Sequence, residues 1–296
     1  MNKFHRVGII GRLNSQHVVD SIQRLKQLLL QRNLDVVLEE TIAQTMDDHG
    51  LPTVSYRELG ETCDLAIVVG GDGSMLGAAR ELAPYDISLV GINRGRLGFL
   101  TDINPNKLES QITEVLEGRY LLEERFLLSA QVNHQDGGIE SGDALNDVVL
   151  HAGQSARMIE FEIYLDGQFI SSQQADGLII STPTGSTAYA LSAGGPIVHP
   201  KLNAMLVVPM NPHTLSSRPI VVDGDSELKI IISPHLTINP QVSCDAQNHL
   251  YCTPGDEIIV RKYKHQIKLL HMSDYNFYKI CRTKLGWGSR LIEDRV

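Results

Sequence analysis

The residues with the clearest chemical potential follow the apolar run Leu65-Ala66-Ile67-Val68-Val69. The chain there reads Gly70-Gly71-Asp72-Gly73-Ser74-Met75-Leu76-Gly77, and a helical pattern begins at once. Glycines let the backbone turn sharply and let a ligand come close to the main chain. The N–H groups and dipole of a helix start then suit phosphate. The spacing GxGxxxG is not the GxGxxG of a dinucleotide fingerprint, and no GK[ST] follows as in a Walker A loop. The stretch therefore reads as a phosphate-binding turn of another type, with the carboxylate of Asp72 at its tip. A tight turn whose aspartate serves only turn chemistry is the plainer alternative. A strand end in an open sheet favours the ligand reading.

Two further stretches lie in the second half. Leu145-Asn146-Asp147-Val148-Val149 sets an amide and a carboxylate just before a strand, which by itself reads most simply as a turn and cap. The stretch Asp176 to Pro196 is denser. It follows Leu178-Ile179-Ile180 with Ser181-Thr182-Pro183-Thr184-Gly185-Ser186-Thr187-Ala188-Tyr189-Ala190-Leu191-Ser192 and then Gly194-Gly195-Pro196. Hydroxyls, glycines and one aromatic ring can hold ribose hydroxyls, a phosphate and the face of a base.

These residues need elements to position them, and the two halves of the chain supply different ones. In the first, Val7-Gly8-Ile9-Ile10, Val36-Val37-Leu38, Leu65–Val69 and Ile87–Ile92 read as buried strands. A helix capped near Ser15 carries Val18, Ile22, Leu25 and Leu29 on one face, and another after Pro105 carries Leu108, Ile112, Val115 and Leu116. Apolar strands alternating with helices predict a parallel sheet covered on both sides. From about Phe126 the period becomes two. Ile159, Phe161, Ile163 and Leu165 alternate with polar neighbours, and Asp166-Gly167 supplies a hairpin turn. Strands follow at 206–208, 220–222, 228–232, 257–260 and 267–270, with a short helix at most around Ser186–Ser192. After Met272 the pattern is mixed and predicts a helix around Tyr275–Leu285. The expected domains are 1–126 with 272–296, of α/β type, and 127–271, mostly β.

The 296 residues are ample for two domains with their own cores. With 26 Lys+Arg against 35 Asp+Glu the net charge is −9, which argues against a partner held through nucleic-acid phosphates. Cys63, Cys244, Cys252 and Cys281 are scattered, with no CxxC pair and no zinc spacing. No apolar run is long enough for a membrane span. The expectation is a cytoplasmic protein with neither nucleic-acid nor membrane partner.

Together the three stretches resemble the NAD kinase family. Its GGDG motif is matched by Gly70–Gly73, its Asn-Asp or Asn-Glu motif by Asn146 and Asp147, and its DG…TPTGSTAY…GGP motif by Asp176 through Pro196. Asn93-Arg94-Gly95-Arg96-Leu97-Gly98-Phe99-Leu100 is similar to the segment linking the two domains. The resemblance spans about residues 5–275. It implies a Rossmann-like, phosphofructokinase-like N-terminal domain, a β-sandwich-like C-terminal domain, a tail returning to the first domain, and an active site in the cleft. It implies transfer of the γ-phosphoryl group of ATP to the adenosine 2′-hydroxyl of NAD, giving NADP, with Asp72 as the base. Gly71 and Gly73 would shape the phosphate turn. Asn146, Asp147, Arg157, Asp176, Thr184, Thr187, Ala188, Tyr189, Ala190, Leu191, Ser192 and Gln247 would bind the dinucleotide, with Tyr189 near the adenine. A divalent metal, Mg²⁺, would bridge phosphates through water and substrate oxygens with no dedicated protein ligands. A homodimer or homotetramer is expected. Where bacterial relatives often carry a basic residue, this chain has Gln174, which predicts relaxed selection between NAD and NADH.

Two rivals stand beside that reading. GGDG is shared with lipid kinases, which would use an apolar or basic surface and would not need Thr182–Pro196. A non-catalytic NAD-sensing module would have no use for Asp72. An assay for NADP formed from ATP and NAD separates all three.

Overall fold

Burial along the strands decides how each segment is used. The computed structural model describes residues 3–11, 16–44, 46, 49–93, 98–153 and 157–287, so the expected cap at Ser15 and residues 94–97 of the linking segment lie outside it. The chain divides into two compact units, Met1–Glu124 with Ile267–Val296, and Arg125–Gln266.

In the first unit the strands Arg6–Gly11 (β1), Asp35–Glu39 (β2), Thr53–Val54 (β3), Leu65–Val69 (β4) and Ser88–Ile92 (β5) run parallel in the order β3-β2-β1-β4-β5. Every residue of β4 is buried, so both faces of the sheet are covered, which is why these strands read as continuous apolar runs. The helices are Gln16–Gln31 (α1), Glu40–Ala43 (α2), Tyr56–Thr62 (α3), Asp72–Leu82 (α4) and Leu108–Leu116 (α5). Val18, Ile22, Leu25 and Leu29 of α1 and Leu108, Ile112, Val115 and Leu116 of α5 share a core with Val7, Ile9, Val36, Leu38, Leu65, Ile67 and Val90. The strand order reverses between β1 and β4. Their carboxyl ends flank the crevice where open α/β sheets bind ligands, and Gly70-Gly71 leave β4 at that point.

The tail completes this unit. Lys268 and Leu269 pair in parallel with Ser88 and Leu89 at the edge of the sheet. A helix, Phe277–Leu285, follows, its N-terminus capped by the side chain of Asn276 accepting from Lys279 N–H. Phe277, Ile280 and Cys281 are buried, and the Phe277 ring lies 6.4 Å from that of Phe99.

The second unit holds most of Leu121–Asn133 (β6) and of Glu257–His271 (β17), whose residues 121–124 and 267–271 count with the first, and all of Ile139–Ala144 (β7), Asp147–His151 (β8), Ile159–Leu165 (β9), Gln168–Ala175 (β10), Gly177–Ser181 (β11), Ala204–Met210 (β12), Ile220–Asp223 (β13), Leu228–Ile232 (β14), Gln241–Cys244 (β15) and Asn248–Tyr251 (β16). One antiparallel sheet has the order β13-β12-β11-β8-β15-β16. In the facing layer β10, β9, β14 and the start of β17 are antiparallel neighbours. Val148 and Leu150 of β8, Ile159, Phe161 and Ile163 of β9, Leu178 and Ile180 of β11, and Ile230 of β14 meet in a shared core, as in a β-sandwich. Asp166 and Gly167 take φ of 50° and 78° and close the β9–β10 hairpin as expected.

The structure departs from the sequence expectation at one long element. The two strands expected at 257–260 and 267–270 are one 15-residue strand, because Arg261–Gln266, polar enough to read as a loop, continue the extended backbone with few buried side chains. The units divide at 124 and 266, where the sequence reading placed boundaries after 126 and 271.

The buried tail should be part of the first unit's stability. Phe277→Ala is expected to cost about 3 kcal/mol, the usual loss for a buried aromatic. Urea unfolding checks it, and an unchanged midpoint would mean that the tail helix contributes nothing.

Candidate functional site

The glycine turn is built by the end of β4. Gly70 N–H bonds Ile92 C=O in the neighbouring strand, and Gly71 is the N-cap of α4, with its own C=O accepting from Ser74 N–H at 3.0 Å. Gly71 has φ −96° and ψ −175°, open to any residue, and a Cβ built there meets no atom within 4 Å. Neither backbone strain nor crowding calls for glycine at 71. A ligand passing close to the main chain would. The Asp72 carboxylate is held firmly: it accepts from Phe99 N–H and Leu100 N–H, each at 3.0 Å, and from the Thr101 hydroxyl at 3.3 Å.

A second site lies within the β unit. Alternation along β8 sends Val148 and Leu150 into the sandwich core and leaves Asp147, Val149 and His151 on the other face. There they line a pocket of about 700 Å³, with Asn146, Arg157, Asp176, Ala188 and Tyr189 around it. These six predicted residues, Asn146, Asp147, Arg157, Asp176, Ala188 and Tyr189, are brought together from loops and strand ends more than forty positions apart in sequence.

The local fold explains how. The carboxylate of Asp245 accepts from Leu145 N–H, Asn146 N–H and Asp147 N–H at 3.0, 2.7 and 3.3 Å, and so fixes the turn into β8. The Thr182 hydroxyl donates to Leu145 C=O at 2.6 Å, and Thr182 N–H and the Ser181 hydroxyl bond Asn146 C=O. A Cβ on Gly185 would stand 2.2 Å from Asn146 O, so only glycine lets this turn pack so closely. Asp176 accepts from Asn211 Nδ2 at 2.8 Å, and Arg157 donates to Thr237 Oγ1 at 3.0 Å.

The remaining predicted residues sit elsewhere. Thr184 is buried, its hydroxyl accepting from Arg125 Nη1 at 3.2 Å, and the Thr187 hydroxyl is 3.4 Å from Thr184 C=O. Ala190 is fully buried in a small core with Val149, Ile179, Val198, Leu206 and Val208. Leu191 is half-buried and Ser192 exposed; neither lines the pocket. Gln247 is exposed in the turn between β15 and β16. Gln174 lies on β10 opposite Glu160, exposed, and its C=O accepts from His213 N–H. Much of the hydroxyl-rich stretch thus holds the fold itself: Ser186, fully buried, donates to Pro183 C=O and accepts from Val198 N–H.

Sequence reasoning missed His151, Ser243, Asp245 and Ala246, all of which line the pocket. Asp245 and Ala246 both have φ 53° in the turn from β15 into β16, and β15 lies beside β8. Asp-Ala before Gln247 was the available signal, but without β15 assigned nothing tied it to Asn146. Among the described residues, no group of three or more His, Cys, Asp or Glu converges to hold a metal ion, and no helix is long and apolar enough to cross a membrane.

Electrostatics set the pocket's character. Burial first, and the neighbouring charge of Asp245 second, push the Asp147 carboxyl up to about 7. Burial also draws His151 below the usual imidazole range, with His249 adding to the effect. Carboxylates at Asp147, Asp176 and Asp245 outnumber the one guanidinium, Arg157, so the pocket is built to accept hydrogen bonds from hydroxyls and amines.

A doubly covered parallel sheet with a glycine turn at its switch point, and a β-sandwich unit with a carboxylate-lined pocket, define a two-unit nucleotide-handling protein. Residues 7–120 match the profile of the ATP-NAD kinase N-terminal domain, and residues 145–272 that of the ATP-NAD kinase C-terminal domain. The chain belongs to the ATP-NAD kinase family. It is 64% identical over 291 residues to the NAD kinase of Ectopseudomonas mendocina (strain ymp), covering 98% of this chain and 99% of that protein. It is equally similar to the NAD kinase of Pseudomonas entomophila (strain L48), with 98% of each chain covered. Among solved structures, yeast NADH kinase complexed with NADH is similar at a TM-score of 0.87 and 26% identity, covering 96% of this chain and 88% of that one. An NAD kinase from Archaeoglobus fulgidus in complex with ATP has a TM-score of 0.72 and 26% identity, with 95% and 97% covered.

The raised Asp147 has a consequence for stability. An acid whose pKa is higher folded than unfolded favours the folded state fully only below its unfolded value, near 3.8, and that advantage is lost as pH rises towards about 7. At pH 8 the ionised, buried Asp147 should therefore cost the apo protein on the order of 1–3 kcal/mol. Asp147→Asn is expected to raise the melting temperature at pH 8 and to lose that advantage as pH falls towards 5. Parallel melting curves for the two proteins across that range would show that Asp147 is not raised.

Proposed function

We infer that this chain is an ATP-dependent NAD kinase, moving the γ-phosphoryl group of ATP to the adenosine 2′-hydroxyl of NAD to give NADP and ADP. The observation that carries the assignment of residues is the convergence of Asn146, Asp147, Asp176, Ala188 and Tyr189 on one pocket. In this reading the carboxylates of Asp147 and Asp176 receive ribose hydroxyls, and Tyr189, about half exposed, offers its ring to the adenine. The amides at the start of α4 receive phosphate oxygens, and Gly71 keeps the approach clear.

Phosphoryl transfer needs alignment and charge neutralisation more than covalent chemistry from the protein. As the 2′-oxygen bonds to the γ-phosphorus, its proton must leave, and Asp72 is the group assigned to take it. Two backbone amides and the Thr101 hydroxyl support its carboxylate, so it is oriented before substrate arrives. A divalent cation, Mg²⁺, would be held by phosphate oxygens and water and would neutralise charge on the transferring group.

The compartment proposed is the cytoplasm, with which the four free, buried cysteines agree. We also propose assembly as a homodimer or homotetramer through the second unit, where Leu215 is 96% exposed and Phe169 and Val221 at least half exposed.

Two variants test the roles. Asp72→Asn keeps the size of the side chain and one of its acceptors but removes the proton acceptor. It should lower kcat by about 10²–10⁴ while NAD affinity stays within a few-fold. A near-normal kcat would remove Asp72 as the base. Gly71→Ala adds a methyl to open space, so melting should stay within about 2 °C as the small losses and gains at a helix cap roughly cancel. KM for ATP should nevertheless rise at least about tenfold, a change of some 1.4 kcal/mol in binding. If KM stays put, no ligand approaches there.

A further inference from the structure

The pocket contains a feature that the functional assignment above does not use. His151, at the end of β8, has both ring nitrogens occupied. Its Nδ1 accepts from Gly153 N–H at 3.1 Å, and a backbone amide can only donate, so Nδ1 carries no proton. The proton is on Nε2, 2.8 Å from Ser243 Oγ, and Ser243 in turn donates to Nδ1 of His249, also at 2.8 Å. His151 is therefore a neutral imidazole in one tautomer, pinned at both polar edges. What it can still present to the pocket is its ring face and carbon edge.

The position of that face matters. The Tyr189 backbone lies beside the carboxyl of Asp147, at the other end of β8 from His151. Asp147 and His151 are four residues apart on one strand, about 13 Å at the usual rise of ~3.3 Å per residue. Tyr189 and His151 thus line the pocket from the regions of the two ends of β8. With the pocket read as the dinucleotide site, that span is the room for what joins the two bases. The Tyr189 end holds Asn146 and Asp147. The His151 end is lined by Val149, Ala152 and Gly153, with the Asp176 carboxylate beside it, one residue before the strand partner of His151, Gly177. Small groups there suit a flat heterocycle, and a carboxylate suits a cationic one.

We propose that His151 is the stacking wall for the nicotinamide end of the dinucleotide, and that Ser243 and His249 position its ring so that a neutral π-face meets the heterocycle. This rests on reading the pocket as the dinucleotide site. Oxidised nicotinamide is a cationic ring and reduced nicotinamide a neutral one, so a neutral aromatic face attracts the first more strongly. Burial keeps the imidazole uncharged at neutral pH, consistent with its hydrogen bonds. His151 is then a specificity residue that favours NAD over NADH.

The test is calorimetric binding of NAD, NADH and ADP-ribose, which lacks nicotinamide, to the native protein and to His151→Ala, His151→Phe, Ser243→Ala and Tyr189→Ala. His151→Ala should weaken NAD about tenfold, NADH less than threefold and ADP-ribose not measurably. His151→Phe keeps a ring face and should hold NAD within about threefold of native. Ser243→Ala leaves the ring but frees its edge, and should weaken NAD by about threefold; it decides the matter should the Phe variant not fold. Equal losses for NAD and ADP-ribose in His151→Ala would overturn the proposal, as would unchanged NAD binding. If Tyr189→Ala weakens NAD while His151→Ala does not, this inference alone fails. If neither changes NAD binding, the pocket is not the dinucleotide site.

Discussion

Much of the second unit's chemistry depends on one buried carboxylate, that of Asp245. It accepts three consecutive backbone amides, at Leu145, Asn146 and Asp147, from a turn where its own φ is positive. Those amides would otherwise be unpaired donors at a strand start, each costing roughly 1–3 kcal/mol if left buried without a partner. Satisfying them fixes where Asn146 and Asp147 point. Burial first, and the charge of Asp245 second, raise the Asp147 carboxyl. The group that positions Asp147 thereby adds to the effect of burial on its protonation.

The hydroxyl-rich stretch shows the same economy. Ser181, Thr182 and Ser186 are fully buried and bond the chain to itself, around Asn146 on one side and Val198 on the other. Only Ala188 and Tyr189 of the Thr182–Ser192 run reach the pocket wall. A motif dense in polar groups is thus mostly scaffold, and its density reflects how many backbone groups a sharp turn beside a strand leaves to be satisfied. The pocket wall is the residue of that process, held rigid by it.

How legible this was in the sequence varies with the physics. Alternating strands and helices announced the first unit because each strand of a doubly covered sheet is continuously apolar, as Leu65–Val69 is. The sandwich was legible where one face is wet, as at Ile159–Leu165, and at the Asp166-Gly167 turn. It failed where strands carry little apolar signal: Ile139–Ala144 and Asn248–Tyr251 are short, and Arg261–Gln266 are polar inside a long strand. The failure propagated to the site. Asn146, Asp147, Asp176 and Tyr189 were reached through motif and resemblance. Ser243, Asp245 and His151 depend on β15 lying beside β8, a long-range pairing of residues about ninety positions apart that no local pattern encodes.

The two units differ in the kind of hydrogen bond each can offer. The pocket of the β unit is rich in acceptors: Asp147, Asp176 and Asp245 against one Arg157. Such a surface attracts hydroxyls and amines. The glycine turn of the α/β unit is the reverse, a set of backbone donors at the start of an 11-residue helix, with no side chain at Gly71 to obstruct them. A group rich in hydroxyls suits the first surface and one rich in phosphate oxygens suits the second, and each preference follows from the side chains and backbone of its own unit.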